Sequence, residues 1–496
     1  MWLYWARHLS GGYDGRVAEV LGVSNMSFRH WPRWSPLIWR HGPFIVLLAA
    51  AAAVRILAWL AIHPAMWVLL DGVGYVLQAM DPRPGNFRPS GYALLMLRPL
   101  LPAHSLSLVT ALQHAMSLGV GVLTYAALIR LGLPRWVSVL AALPLLFDGY
   151  LISLEQMVGS DLLFGTLVAV GLLLLVWRAG RPPHLVVAAA GLALGLAAIT
   201  RVAGTPLPAA ALLFLLLPRP AWSRLAVLGV AVAVPVVLYG VWFSQFYGGF
   251  NLTATSGIYL YAHTTVFVDC RRVHFSDQGL YRLCPTGTHK EDWYIFAPDS
   301  PINDAGLPWL EADRRARTFA LEAIEQQPAD FVRLAWSDLV TSFGWDQSGV
   351  LPGVGFVPQA LPASAHTAGI AYQRRDPGPL VRPRLLDFMQ RYEAIVSVPP
   401  PAYLLVLVVG MVGLVFGRDP KRRHLHRSLL LFLGTAALLL VVPAVTTLPD
   451  SRYRVPAVAE LGPILAISGW LVAQRWPSQR EDASDSSPSD EPGHAP

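Results

Sequence analysis

Charged residues are scarce in this sequence. Of 496 residues only 14% are Asp, Glu, Lys or Arg, where a soluble chain carries about 25%. Too little charge is present to cover a water-facing surface, which excludes an ordinary soluble protein and gives much of the surface to lipid. Cysteine is nearly absent as well. Cys270 and Cys284 are the only two, and no Cys/His cluster has zinc spacing. No internal repeat occurs at solenoid periods. The segment 1–43 carries Arg7, Arg16, Arg29, Arg33 and Arg40 but no apolar core of signal-peptide length. It reads as a cytoplasmic segment, with Trp2, Tyr4, Trp5, Trp31 and Trp34 suited to an interfacial helix.

What is abundant is apolar sequence. Hydrophobic residues make up 54% of the chain, with 17 Trp and 16 Tyr, many near the ends of apolar runs as interface belts require. A helical span takes about 20 apolar residues. Candidate runs are 44–62, 105–129, 134–147, 157–177, 184–200, 206–217, 225–246, 402–416, 429–445 and 455–472. The expected fold is an α-helical polytopic membrane protein of about ten spans. Residues 44–246 would form a catalytic module with a first outer loop at 63–104. A hydrophilic α/β domain is expected at 247–398, with the last spans in 399–475 and a disordered tail at 476–496. Within the hydrophilic domain, 310–342 has the apolar spacing of a helix. Residues 251–275 have the β-branched and aromatic content of strands or an extended segment.

Loop charges give the orientation. With the N-terminus in the cytoplasm, alternate connections hold Arg130 and Arg135, Arg178 and Arg181, Arg219 and Arg224, then Arg418, Lys421, Arg422, Arg423 and Arg427. Arg475 and Arg480 follow the last run. Every cytoplasmic connection is basic, as the positive-inside bias requires. The protein is thus expected in a plasma membrane, with both termini cytoplasmic and Asp71 and the 247–398 domain outside. If that domain lies outside, Cys270 and Cys284 pair as a disulfide.

Several charged residues then fall at one level on the outer face. Asp71 follows the first run, Asp148, Glu155 and Asp161 surround the loop between the third and fourth, Arg201 follows the fifth, and Arg452 and Arg454 precede the last. Charges at membrane depth face a cavity or each other. Acids on two loops opposite arginines on two others suit a phosphate-bearing, partly lipidic substrate. An acid there could deprotonate a hydroxyl acceptor or hold a divalent cation (Mg, Mn or Ca) against a phosphate leaving group. Plainer readings stand beside these. Asp71-Gly72 and Asp148-Gly149 are common turns, Ser160-Asp161 could cap a helix, and Arg201 and Arg454 could snorkel to headgroups. Arg55 reads as a structural ion-pair partner, His114 and Glu460 as polar contacts between helices, and His63 as a possible assistant at the site.

Ordered motifs resemble the C-type (GT-C) membrane glycosyltransferases, which include protein O-mannosyltransferases, aminoarabinose transferases and actinobacterial arabinosyl- and mannosyltransferases. They are Arg55-Ile56-Leu57, Asp71-Gly72 with Tyr75, Arg88-Pro89-Ser90-Gly91-Tyr92, Ser160-Asp161-Leu162-Leu163, Gly191 to Arg201, Ala323 to Phe331, and Arg452-Tyr453-Arg454-Val455-Pro456. Ser90 stands where the family pattern has Pro, and Asp71 is followed by Gly72 where many relatives have a second acid. The resemblance implies a polyprenyl-phosphate sugar donor, a glycan, lipid or protein acceptor, and inverting displacement on the outer side. By the same resemblance Asp71 is the general base, with Asp161 or its rival Glu155 as a second acid. Arg201, Arg452, Arg454 and Arg88 would bind the donor phosphate, and Tyr75 and Tyr453 would position the acceptor. No nucleic-acid partner is implied. A transporter or flippase of a lipid-linked sugar, or of another amphipathic anion, would also need intramembrane charge; it would tend to show repeats and broken helices, which the sequence does not.

Overall fold

The computed structural model describes residues 35–474, apart from 68, 218–219, 287–296, 298–299, 305, 349, 351–354, 358–370, 377, 418–419 and 448. The N-terminal aromatics, Arg219, Arg418, Arg475, Arg480 and the tail 476–496 lie outside the described residues. The chain divides into units 1–47 and 48–496; of the first, the described part is the N-terminal half of helix α1.

The apolar runs become helices. In chain order these are α1 (Ser35–Ala61), α2 (Leu69–Met80), α3 (Leu106–Arg130), α4 (Arg135–Phe147), α5 (Gly149–Glu155), α6 (Ser160–Leu175), α7 (His184–Thr200), α8 (Pro208–Leu216) and α9 (Trp222–Tyr247). The hydrophilic segment supplies α10 (Ser256–Thr264), α11 (Trp309–Gln326), α12 (Pro328–Phe343) and α13 (Pro383–Val396). Then follow α14 (Pro400–Phe416), α15 (Arg423–Thr446) and α16 (Val458–Ala473). Helix α7 packs against α6 and α9, and α16 against α4, α14 and α15. One large cluster of buried aliphatic and aromatic side chains runs through these contacts.

Among the described residues six helices are long and apolar enough to cross a membrane: Arg40–Ala61, Leu106–Arg130, Trp222–Tyr247, Pro383–Phe416, Arg423–Thr446 and Ser451–Ala473. The sequence pointed to about ten. The remaining runs form shorter helices, and α4 and α5 make a pair bent by 54°. Asp148 causes that bend: its backbone leaves the helical region (φ −57°, ψ 123°), and its carboxylate accepts from the Leu151 N–H at 2.7 Å. Its other oxygen accepts from the Val398 N–H at 2.7 Å. Asp148 is thus a cap, tying α5 to the start of α14.

The hydrophilic segment departs from expectation. Among the described residues it is helical, with the two-residue strand β4 (Leu380–Val381) as its only β element, where the sequence pointed to an α/β domain. Residues 251–275 are not strands but turns around α10. That helix starts because Asp313 of α11 caps it from outside, its Oδ1 accepting from the N–H groups of Gly257 (2.5 Å) and Ile258 (3.1 Å). Ile258, Tyr261, Phe275, Ala316 and Phe319 then fill a core of their own, with Phe275 stacked on Phe319 at 4.6 Å. Cys270 and Cys284 are joined, their Cα atoms 6.2 Å apart, beside this core. The helix expected over 310–342 is two helices: Pro328 forces Gln327 out of the α region (φ −128°, ψ 52°) and opens α12 in its first turn.

Two small pairings tie the connections down. Strand β1 (Ile62–His63) runs antiparallel to β4, and β2 (Met66–Trp67) parallel to β3 (Met157–Val158). Asp376 caps α3 from a distant loop, its oxygens accepting from the Leu106 N–H (2.6 Å), Ser105 Oγ (2.6 Å) and Ser107 Oγ (2.7 Å). His63 Nε2 shares the Ser107 hydroxyl at 3.0 Å and belongs to this strap.

Candidate functional site

Asp71 stands in the first turn of α2, where a carboxylate complements the positive end of the helix. Asp71-Gly72 is therefore helical and not a turn. The glycine is required by packing: a Cβ on Gly72 would sit 2.8 Å from the Val158 carbonyl oxygen and 3.0 Å from the Trp67 ring. With β2 paired to β3, this contact sets the first turn of α2 beside β3, two residues before Ser160-Asp161 opens α6.

A second close approach joins the next motif. A Cβ on Gly91 would collide with the carbonyl of Ile199 and with Thr200 Cα, so the loop bearing Arg88 rests on the end of α7. That helix stops at Thr200, and Arg201 turns into extended backbone (φ −146°, ψ 137°). Ser90 fastens the loop in a way proline could not: its N–H donates to Tyr239 Oη at 3.0 Å, and its Oγ accepts from the Gly85 N–H at 2.9 Å. Arg452 and Tyr453 lie on a 3₁₀ turn that Asp450 caps by accepting the Arg452 N–H at 2.9 Å.

These elements bring two ion-paired groups together. Asp71 accepts from Arg88 Nε through Oδ1 at 2.6 Å and from Arg452 Nη1 through Oδ2 at 2.9 Å. Arg452 also meets Asp450, Nε to Oδ2, at 3.0 Å. Beside them Arg201 Nη1 pairs with Asp161 Oδ1 at 2.5 Å and reaches Ser160 Oγ at 3.4 Å. Tyr75 Oη donates to the same Ser160 hydroxyl at 2.9 Å. The Tyr453 ring joins the groups, with the Arg201 guanidinium 5.5 Å and the Arg452 guanidinium 5.3 Å from its centre. Burial pushes the Asp71 carboxyl up, but the two guanidiniums outweigh it and hold the group down at about 2. Burial likewise opposes the Arg88 charge, and Asp71 outweighs it, raising Arg88 above its ordinary range.

A cavity of about 490 Å³ opens against this cluster. Arg88, Asp161, Arg201, Tyr75 and Tyr453 line its charged wall; Phe164, Leu439, Val442, Pro443 and Pro206 make an apolar one. Thr253, Thr255, Ser256 and Tyr259 enter from the start of the hydrophilic segment, which is tied to the Arg88 loop by the Ala254 N–H donating to Asn86 O at 2.7 Å. Asp71 stands behind Arg88 with 18% of its side chain exposed.

Two expected site residues are elsewhere. Glu155 is fully buried in an ion pair with Arg55 (2.8 Å), and His114 Nδ1 meets its other oxygen at 2.6 Å. Arg454 Nη1 donates to Ser342 O and Gln347 Oε1, both at 2.8 Å, and does not line the cavity. Glu460 is buried in α16 with neither carboxylate oxygen hydrogen-bonded to the described residues; nothing in the structure explains it. Sequence reasoning passed over Ser160 as a ligand, Asp450 and Tyr259. Asp450, two residues ahead of Arg452, had the signal of a capping aspartate; Tyr259 had none. The acids do not assemble a cation site, since Asp71 and Asp161 each face guanidiniums, and no group of three His, Cys, Asp or Glu side chains gathers among the described residues. A divalent cation therefore does not fit the residues as they stand.

The fold and site describe a helical protein whose apolar helices end around a charged, amphipathic cavity. No protein-family model matches the chain, and no curated protein matches it. Among solved structures, it is similar to the oligosaccharyltransferase of Archaeoglobus fulgidus in the apo form, at 14% identity and a TM-score of 0.44, over 91% of this chain and 53% of that one. It is also similar to ArnT from Cupriavidus metallidurans bound to undecaprenyl phosphate, at 15% identity and a TM-score of 0.35, over 91% of this chain and 82% of that one. The chain spans about half the length of the oligosaccharyltransferase.

Proposed function

We propose that the protein is a membrane glycosyltransferase that moves a sugar from a polyprenyl-phosphate donor to a hydroxyl acceptor on the outer side of the membrane. The observation that carries this reading is one cavity with two arginines on one wall and aliphatic side chains on the other. A lipid phosphate needs both. The prenyl chain would lie against Leu439, Val442 and Pro443, and the phosphate would take the guanidiniums of Arg88 and Arg201, with Arg452 behind them. The acceptor would enter past Thr253, Thr255 and Tyr259.

In the chemical step the acceptor oxygen bonds to the anomeric carbon as the bond from that carbon to the phosphate oxygen breaks. The acceptor proton passes to Asp71, and polyprenyl phosphate leaves with its new charge held by arginine. Inversion follows from the single displacement. Asp161 keeps Arg201 aimed at the phosphate. Glu155 has no part in this step, and neither does Arg454. The test is transfer of radiolabelled sugar from a polyprenyl-phosphate donor by the full chain in detergent. Arg201→Gln and Arg88→Gln are expected to abolish transfer, and turnover unchanged in both would remove the phosphate role.

A further inference from the structure

Asp71 is held in a way that conflicts with its use as a base. Each of its oxygens already accepts a charge-assisted hydrogen bond, Oδ1 from Arg88 at 2.6 Å and Oδ2 from Arg452 at 2.9 Å. A carboxylate clamped between two cations is a weak proton acceptor. The two arginines differ in what else holds them. Arg452 has a second carboxylate, Asp450, on its Nε at 3.0 Å, and Asp450 is itself fixed by the Arg452 N–H at 2.9 Å. Arg88 lines the cavity and is a quarter exposed at its side chain. A phosphate entering the cavity therefore meets Arg88 first. It offers what Asp71 offers, an anionic pair of oxygens, and guanidinium geometry suits either.

We propose that the Asp71 carboxylate and the donor phosphate are alternative ligands of the Arg88 guanidinium. Donor binding takes Arg88 from Asp71 Oδ1, and only then is that oxygen free to receive the acceptor proton. The donor binds before the acceptor can react, and the empty site holds its base in check. Arg452, held by Asp450, stays on Asp71 Oδ2 through the exchange. The inference rests on the lipid-phosphate reading above and adds the competition.

The consequence is a split that no simple binding or catalytic role predicts: removing the Asp71 charge abolishes transfer yet tightens lipid-phosphate binding. The experiment is equilibrium binding of tritiated undecaprenyl phosphate to the full chain in detergent, for wild type, Asp71→Asn, Asp71→Ala and Asp71→Glu. All variants are first checked for monodispersity by gel filtration, and either neutral variant suffices if the other does not fold. Asp71→Asn and Asp71→Ala are expected to bind at least about fivefold more tightly than wild type, because a competing anion is gone. Asp71→Glu, which keeps the charge, is expected to bind no more tightly than wild type. Wild-type binding with no gain in the neutral variants overturns the competition and leaves the proposed function standing. No binding by wild type or any variant overturns both.

Discussion

Two clusters in this protein use the same residue types in different surroundings. Arg55, Glu155 and His114 form one; Asp71, Arg88 and Arg452 form the other. In the first, Glu155 is fully buried, each of its oxygens has one partner, and Arg55 Nη1 also donates to the Leu146 carbonyl at 2.7 Å. No substrate can reach it. The second stands against a cavity, with Asp71 and Arg88 part-exposed and one arginine on the cavity wall. A guanidinium–carboxylate pair is thus not a functional signal by itself. Access to a second ligand is.

Four experiments bear on that contrast. The largest effect is expected at the open cluster: Asp71→Asn should lower turnover at least about a hundredfold, the usual weight of a positioned base, measured with the lipid-linked donor. Undiminished turnover would make both clusters structural. In the sealed cluster the loss should appear in stability instead. Glu155→Gln leaves Arg55 buried without its counter-charge and is expected to destabilise the fold by about 3–5 kcal/mol, read from unfolding in detergent. The double replacement Arg55→Leu/Glu155→Leu should restore most of that loss. If Glu155→Gln instead reduced turnover at full stability, the sealed cluster would have to be counted in the site.

A smaller effect is expected away from both clusters. Breaking the Cys270–Cys284 bridge, which spans a sequence separation of 14, should destabilise the α10–α11 region by about 3 kcal/mol. Limited proteolysis with and without reductant would show it. The smallest concerns pH. Asp71 is depressed to about 2, so its stabilisation is fully present above the ordinary value of 3.8 and lost only as pH falls through about 2. Burial pushes His263 down to about 4 from 6.5. Below pH 6.5 the unfolded chain takes up a proton that folded His263 refuses, so stability declines as pH falls from 6.5 towards 4. Thermal unfolding over pH 4–7 should show this slope in wild type and a shallower one in His263→Phe, while the Asp71 cluster stays charged throughout.

The apolar runs were legible because a helix in lipid must satisfy its backbone internally and present apolar side chains all round; sequence alone states that. Run ends matched helix ends closely, as with 184–200 and α7. Not legible was where a run would be broken into short helices, as at Asp148, whose carboxylate takes the Val398 N–H from across the fold. Strands at 251–275 failed for a similar reason. Their β-branched content is a local preference, and Asp313, more than fifty residues on, overrode it by capping α10.

The site divides the same way. The sequence by itself determined the membrane-protein class and the residue types of the candidate site: Asp71, Asp161, Arg201 and Arg452 stand near the ends of apolar runs and Arg88 in the first outer loop, and charge is tolerated there for few reasons. Only the tertiary structure decided which of the acids and arginines belong together. Glu155 and Asp161 are six residues apart, yet one is locked to Arg55 and the other faces the cavity. Asp71 and Arg452 are 381 residues apart and share a hydrogen bond. For the Asp71 and Arg88 segments the physical reason is the pair of close approaches at Gly72 and Gly91, where an absent side chain lets α2 meet β3 and the Arg88 loop meet the end of α7. Composition and spacing do not encode such a meeting; packing does.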